Sequence, residues 1–286
     1  MEEIIENDHI KIKVKAAGAE LTSITDQRSG NEMLWQADPE FWGRHAPVLF
    51  PIVGRLKENR YNYKGKTYEM SQHGFARDMD FKLMFKTKDY LEFWLKSDDH
   101  TLKKYPFPFE LRLGYRLEDA TLIHTYEIKN TGTEEMLFSI GAHPAYNLNG
   151  DIKEYHVEFN KPEENLQRTY LNGGLLAKKR SFPLQSDVKL GLSDALFADD
   201  AVVFESLNSD RVSLFKKNEK MLEIEFADFP FFGIWTKPNA PFLCLEPWLG
   251  IADEEEHNGD LTKKKGMIRL SPGLSKVYSY SVRFGD

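Results

Sequence analysis

Alternation of apolar and polar residues runs through the chain. Ile10, Ile12 and Val14 alternate with Lys11, Lys13 and Lys15, the period-two pattern of a strand with one wet face. Leu91, Phe93 and Leu95 repeat it, as do Leu111, Leu113, Tyr115 and Leu117, and then Leu122, His124, Tyr126 and Ile128. Leu222, Ile224 and Phe226, and finally Tyr278, Tyr280, Val282 and Phe284, carry the habit to the end. Short turns such as Glu118-Asp119-Ala120 between neighbouring runs imply antiparallel pairing. Gly18 and residues 26–31 read as turns, and residues 61–68 around Lys64-Gly65-Lys66 as a hairpin. No long stretch has period 3.6, so helices should be few and short, near residues 194–197 and 252–256. Glu254-Glu255-Glu256 and Lys263-Lys264-Lys265 read as solvated charge runs. The expected fold is all-β: one domain over residues 1–286, with two large antiparallel sheets packed as a β-sandwich.

Composition adds three boundaries. The 41% hydrophobic content and 20 Phe of the 286 residues supply ample core. A formal net charge of −7 argues against nucleic acid as a partner. The acidic start, Met1-Glu2-Glu3, is unlike a signal peptide, and no run approaches the ~20 apolar residues of a membrane span. The expectation is a cytoplasmic protein without membrane association. Cys244 stands alone, so neither an internal disulfide nor a cysteine-based zinc site is expected.

Candidate chemistry begins at Phe242-Leu243-Cys244-Leu245-Glu246-Pro247-Trp248, an apolar run holding one carboxylate. Burial raises a carboxyl pKa and makes its anion a better base. His143, in Gly141-Ala142-His143-Pro144, follows two small residues and precedes a proline that biases it toward extended geometry. A Glu and a His on one sheet face make an acid–base pair. Residues 41–55 are dense in aromatics and interrupted by Pro47 and Pro51; they read as extended chain packed across a sheet, with Arg55 at its end. His73, Phe75 and Arg77 fall on a glycine-containing turn suited to the rim of a polar site. Trp235, Trp248 and Phe75 offer stacking faces. The histidines show no close metal-ligand spacing, no Gly-x-Ser-x-Gly motif is present, and no glycine-rich phosphate loop occurs. Neither a metal nor an organic cofactor is expected; an acid and a base flanking a small sugar-sized substrate remain.

Gly54-Arg55, Asn59-Arg60, His73-Gly74-Phe75, residues 141–148 and Leu245-Glu246-Pro247-Trp248 occur in an order that resembles the aldose 1-epimerase (galactose mutarotase) family, and within it the LacX-like branch. The resemblance spans roughly residues 10 to 284. It implies a mutarotase-like supersandwich and cofactor-free interconversion of the α and β anomers of a free aldose. It also implies that Glu246 is the base for the C1 hydroxyl, that His143 is the acid for the ring oxygen, and that Arg55 and His73 bind sugar. A pocket Asp of the family corresponds to Asp199 or Asp200, with Asp200 preferred. The stretch from His73 to Arg77 also resembles the hexose-6-phosphate 1-epimerase branch, in which Arg55, Arg60 and Arg77 would face a phosphate. Two readings of other classes stand beside it: a non-catalytic carbohydrate-binding module, and a glycoside hydrolase using Glu246 with Asp200. The identity of the sugar and the oligomeric state are left open by the sequence.

Overall fold

The computed structural model describes residues 2–182 and 184–285. Two large sheets dominate. One has nine strands in the order Lys189–Gly191, Tyr155–Phe159, Arg211–Lys216, Glu219–Glu225, Ser275–Phe284, Thr121–Asn130, Phe109–Glu118, Tyr90–Lys96 and Lys82–Lys86. The other, of eight strands, runs Leu175–Ser181, Gln167–Asn172, Val202–Glu205, Phe231–Trp235, Phe242–Trp248, Gly141–Ala142 and Val48–Leu49, with Ala145–Asn147 also paired to Phe242–Trp248. Every pairing between these strands is antiparallel. The hairpin expected over residues 61–68 forms as Arg60–Tyr63 and Lys66–Glu69.

The core lies between the sheets. Leu113, Leu122, Ile224 and Val282 from one sheet, and Phe204, Phe232, Ile234, Leu243 and Leu245 from the other, belong to one buried cluster. Aromatic contacts cross the layer: Phe159 meets Phe204 with ring centroids 5.9 Å apart, and Tyr146 meets Phe284 at 6.4 Å. Burial of each such large apolar side chain contributes about 1.5–3 kcal/mol. Because side chains alternate along a strand, sending Leu243 and Leu245 inward turns Phe242, Cys244, Glu246 and Trp248 to the opposite face. In the adjacent strand Phe232 and Ile234 point into the core, which leaves Phe231, Gly233 and Trp235 on that same outer face. Loops cover this face and enclose the candidate site.

Several local expectations change. Residues 194–197 do form a helical turn, a 3-10 segment. Residues 252–256 do not: Glu254 makes an isolated bridge to Leu176, and a turn follows. Among the described residues the α-helix is Asp99–Lys104, which the strand-based reading passed over. Asp98 and Thr101 form a reciprocal capping box there, enough to stabilise a single short helix. Residues 41–55 are mostly irregular, with only Val48–Leu49 in a strand. The Lys263–Lys265 run is not wholly solvated. Lys264 is buried, its Nζ 3.1 Å from Asp253 Oδ1 and donating to the Ile251 carbonyl at 2.6 Å. A buried ammonium needs such partners.

Candidate active site

Glu246 stands on the outer face of its strand, only 1% exposed. The neighbouring chain pairs with this strand twice, Gly141 opposite Trp248 and Ala145 opposite Cys244. Both pairs share one register, so His143, in the gap between them, falls opposite Glu246. The proline after it interrupts the ladder, since Pro144 has no N–H to donate. The result is a contact of 3.3 Å between His143 Nε2 and Glu246 Oε2. It falls short of hydrogen-bond geometry, and Oε2 has no other partner, although it is buried.

Three rings box the His143 imidazole. Trp42 stacks on it at 4.7 Å and 26°, and Trp235 and His73 meet it edge-on at 5.6 and 5.8 Å. Trp248 forms part of the floor, its indole N–H donating to the Ala142 carbonyl. Gly233 makes room for it: a β-carbon there would lie 2.6 Å from the indole ring. His73 and Gly74 both have positive φ, 67° and 73°, in a turn that a side chain at Gly74 would close against the Phe50 carbonyl at 2.2 Å. His73 is pinned from both ends. Its own N–H donates to the Gly54 carbonyl, and the Gly54 N–H donates to its Nδ1 at 3.1 Å. Nδ1 is therefore an acceptor, and in the neutral ring the proton sits on Nε2. Asp200 is carried by a loop tied to the buried Arg168, which donates to the carbonyls of Leu196, Asp200 and Ala201.

These residues line a cavity of about 310 Å³. It brings together Glu246, His143, His73, Arg77, Asp200, Trp235 and Trp248, all expected from the sequence. Three expected residues lie elsewhere. Phe75 is a core residue, packed against Phe50, Tyr105 and Phe109 rather than open to a ligand, because the turn after Gly74 points it inward. Arg55 donates to the Gly173 carbonyl and to Asn59, and borders a separate depression beside Glu58 and Arg60. Asp199 borders another, with Tyr170 and Arg180, which leaves Asp200 as the cavity carboxylate. The sequence reading missed Trp42, Gln72 and Lys237. Trp42 lay within the dense aromatic stretch and could have been singled out; nothing in the sequence marks Gln72 or Lys237.

Burial governs the charges. It pushes the Glu246 carboxyl well above its ordinary 4.5, with the Trp248 indole opposing and the Asp200 charge adding to the rise. It pushes His143 down to about 3, helped by the Arg77 and Arg44 charges. His73 is likewise held well below 6.5 by burial, with His143, Arg77 and Arg44 contributing. The low-dielectric pocket therefore favours an uncharged pair: a protonated Glu246 facing a neutral His143. Moving one proton across their contact converts this pair into carboxylate and imidazolium without uptake from solvent.

The aldose 1-epimerase family model matches residues 3–283. The plasmid-borne protein LacX of Lactococcus lactis subsp. lactis is 33% identical, over 97% of each chain. A galactose mutarotase related enzyme from Lactobacillus acidophilus superposes with a TM-score of 0.94 at 39% identity, covering 100% of this chain and 98% of that one. A galactose mutarotase-like protein from Lactobacillus casei gives the same TM-score at 30% identity, over 99% of both.

Proposed function

Since the chain belongs to the aldose 1-epimerase family, we propose that it interconverts the α and β anomers of a free hexose by acid–base ring opening and closure, with Glu246 as base and His143 as acid. The observation that carries this reading is the 3.3 Å contact between the two groups on the floor of a cavity, with Glu246 Oε2 unpartnered. A group left without a partner at a cavity floor is free to meet a substrate proton. At about 310 Å³ the cavity sits at the small end of ligand pockets, which suits a monosaccharide.

The proposed sequence of proton movements balances. Within the pair, the Glu246 proton passes to His143. The Glu246 carboxylate then takes the proton of the C1 hydroxyl while the His143 imidazolium gives one to the ring oxygen, and the C1–O5 bond breaks. The open aldehyde rotates about C1–C2 and closes from its other face, with the two roles exchanged. Asp200, His73 and Arg77 are the polar groups placed to orient hydroxyls, and Trp235 and Trp248 present apolar faces. One general acid–base step of this kind contributes about 10²–10⁴-fold.

Free sugar is favoured over phosphorylated sugar by the arginines. Arg60 is paired with Glu58, and Arg55 lies outside the cavity, so only Arg77 of the three reaches its lining. Polarimetry of freshly dissolved α-D-glucose and α-D-galactose tests the proposal, with Glu246→Gln and His143→Asn beside the wild type. Wild-type acceleration lost in both variants supports it. Equal acceleration by the variants overturns the assigned roles. Acceleration confined to glucose 6-phosphate transfers the activity to the phosphosugar reading. Binding without acceleration of any of these sugars leaves a carbohydrate-binding module.

A further inference from the structure

We propose that the cavity floor is also a binding site for a thiophilic divalent cation of the zinc class, held by His143, Cys244 and Glu246. Cys244 takes no part in the proton movements described above, yet it sits on the same strand face as Glu246, two residues away. One ligand atom from each of the three side chains lies within 4.8 Å of the other two.

The geometry suits tetrahedral coordination. With metal–nitrogen and metal–oxygen bonds of about 2.0–2.1 Å, two ligands of a tetrahedron stand about 3.3 Å apart. That is the separation of His143 Nε2 and Glu246 Oε2. A sulfur ligand at about 2.3 Å would stand about 3.6 Å from either, against at most 4.8 Å here, so the Cys244 side chain needs to close a gap of about 1.2 Å at most. His143 and Glu246 line the cavity, with Cys244 buried behind them, so a fourth ligand such as water or a sugar hydroxyl would come from the cavity side. Two observations point to a ligand besides the thiol: Glu246 Oε2 is buried with no hydrogen-bond partner, and its carboxyl belongs to the cavity lining.

Charge also favours the cation. Binding releases the thiol proton and the carboxyl proton, so a doubly charged metal meets two anions and a neutral imidazole, and the buried site stays neutral overall. A thiolate and an imidazole together select zinc-class ions over magnesium or calcium, which prefer oxygen ligands. The bound metal occupies the lone pairs of both the base and the acid. Loss of turnover on metal binding rests on the functional reading above; metal binding itself does not.

The test uses cobalt(II) as a coloured substitute for zinc. Titrating the metal-free protein should produce the intense near-ultraviolet absorption of a cobalt–thiolate bond, and one equivalent of zinc should bleach it. The chain has a single cysteine, so that absorption can come only from Cys244. It should be absent in Cys244→Ser and Cys244→Ala, and both should bind zinc about 100-fold more weakly or worse. Both should keep wild-type sugar turnover and lose its inhibition by micromolar zinc, as read by polarimetry. A wild-type protein without the cobalt–thiolate absorption overturns the proposal, as does zinc binding that survives unchanged in both variants. If the absorption appears but no sugar is turned over, the metal site stands and the epimerase reading falls.

Discussion

Glu246→Gln should make the protein more stable at neutral pH, and the size of the gain should depend on pH in one direction. In the folded state burial holds the carboxyl well above 4.5; in the unfolded chain it returns to about that value. Between these two values the folded protein carries a proton on Glu246 that the unfolded chain does not. Stability falls as pH rises wherever the native state binds more protons, so the wild type loses stability from pH 4.5 upward until the folded group also ionises. At pH 7, holding that proton costs up to about 1.36 × (7 − 4.5), or roughly 3.4 kcal/mol. Glutamine is close to the same shape and pays no such cost. For a chain of this length, that corresponds to a rise in midpoint temperature of about 6 °C at most. Thermal or urea unfolding of both proteins at intervals between pH 4 and 8 reads the difference directly. The curves should coincide near pH 4 and separate progressively toward pH 8. A difference that is constant with pH, or that grows toward acid, would refute the claim that Glu246 is destabilised as an anion by burial.

Three further outcomes are expected. In the proposed mechanism the pair holds one shared proton; it gains a second only when His143, pushed down to about 3, is protonated, and loses the one it has only once the raised Glu246 carboxyl ionises. The pH profile of kcat/KM should therefore be a broad plateau through pH 5 to 7, and an acid limb centred near 6.5 would contradict the neutral state of His143. Lys264→Ala should lower unfolding stability by about 3 kcal/mol by removing the cation that faces the buried Asp253 carboxylate, whose Oδ2 still accepts the Lys57 N–H, and Asp253→Leu with Lys264→Met should recover part of that in denaturant titrations. Gly233→Ala should cost about 1–3 kcal/mol and raise KM for the sugar more than it lowers kcat, since the new methyl group displaces the Trp248 ring rather than the acid–base pair.

How much of this was legible depends on range. Alternation along the strands identified the sheets because it is a local property, but residues 242–248 are apolar on both faces, so the face that Glu246 occupies emerged only once Leu243 and Leu245 were seen in the core. The pairing of His143 with Glu246 rested on family resemblance, since nothing local tells which strands lie side by side over a separation of a hundred residues. Phe75 was misread because its neighbours His73 and Arg77 do reach the cavity; a turn with two positive-φ residues reverses side-chain direction in a way that sequence spacing does not reveal. Arg55 was misplaced for a similar reason, its side chain being drawn off by the Gly173 carbonyl. Lys264 looked like one of three solvated lysines because its partner, Asp253, lies earlier in the chain, just before the acidic run. The short helix Asp99–Lys104 carried its signal in a capping box, and only the hydrophobic period was read there.

The shared register that sets His143 opposite Glu246 divides the molecule into parts with different freedom to vary. Glu246 and His143 are spaced by the separation of neighbouring strands, about 4.7–4.9 Å, a dimension common to all β structure and indifferent to loop length. Trp248 comes from the same strand as Glu246 and Trp235 from the strand paired with it, but the turn holding His73, the segment bearing Trp42 and the loop that presents Asp200 are appended from outside that ladder. Insertions and exchanges in those segments can reshape what the cavity admits while the acid and the base keep their distance. Under the proposed function, such exchanges would alter which sugar is accepted and leave the ring-opening chemistry in place.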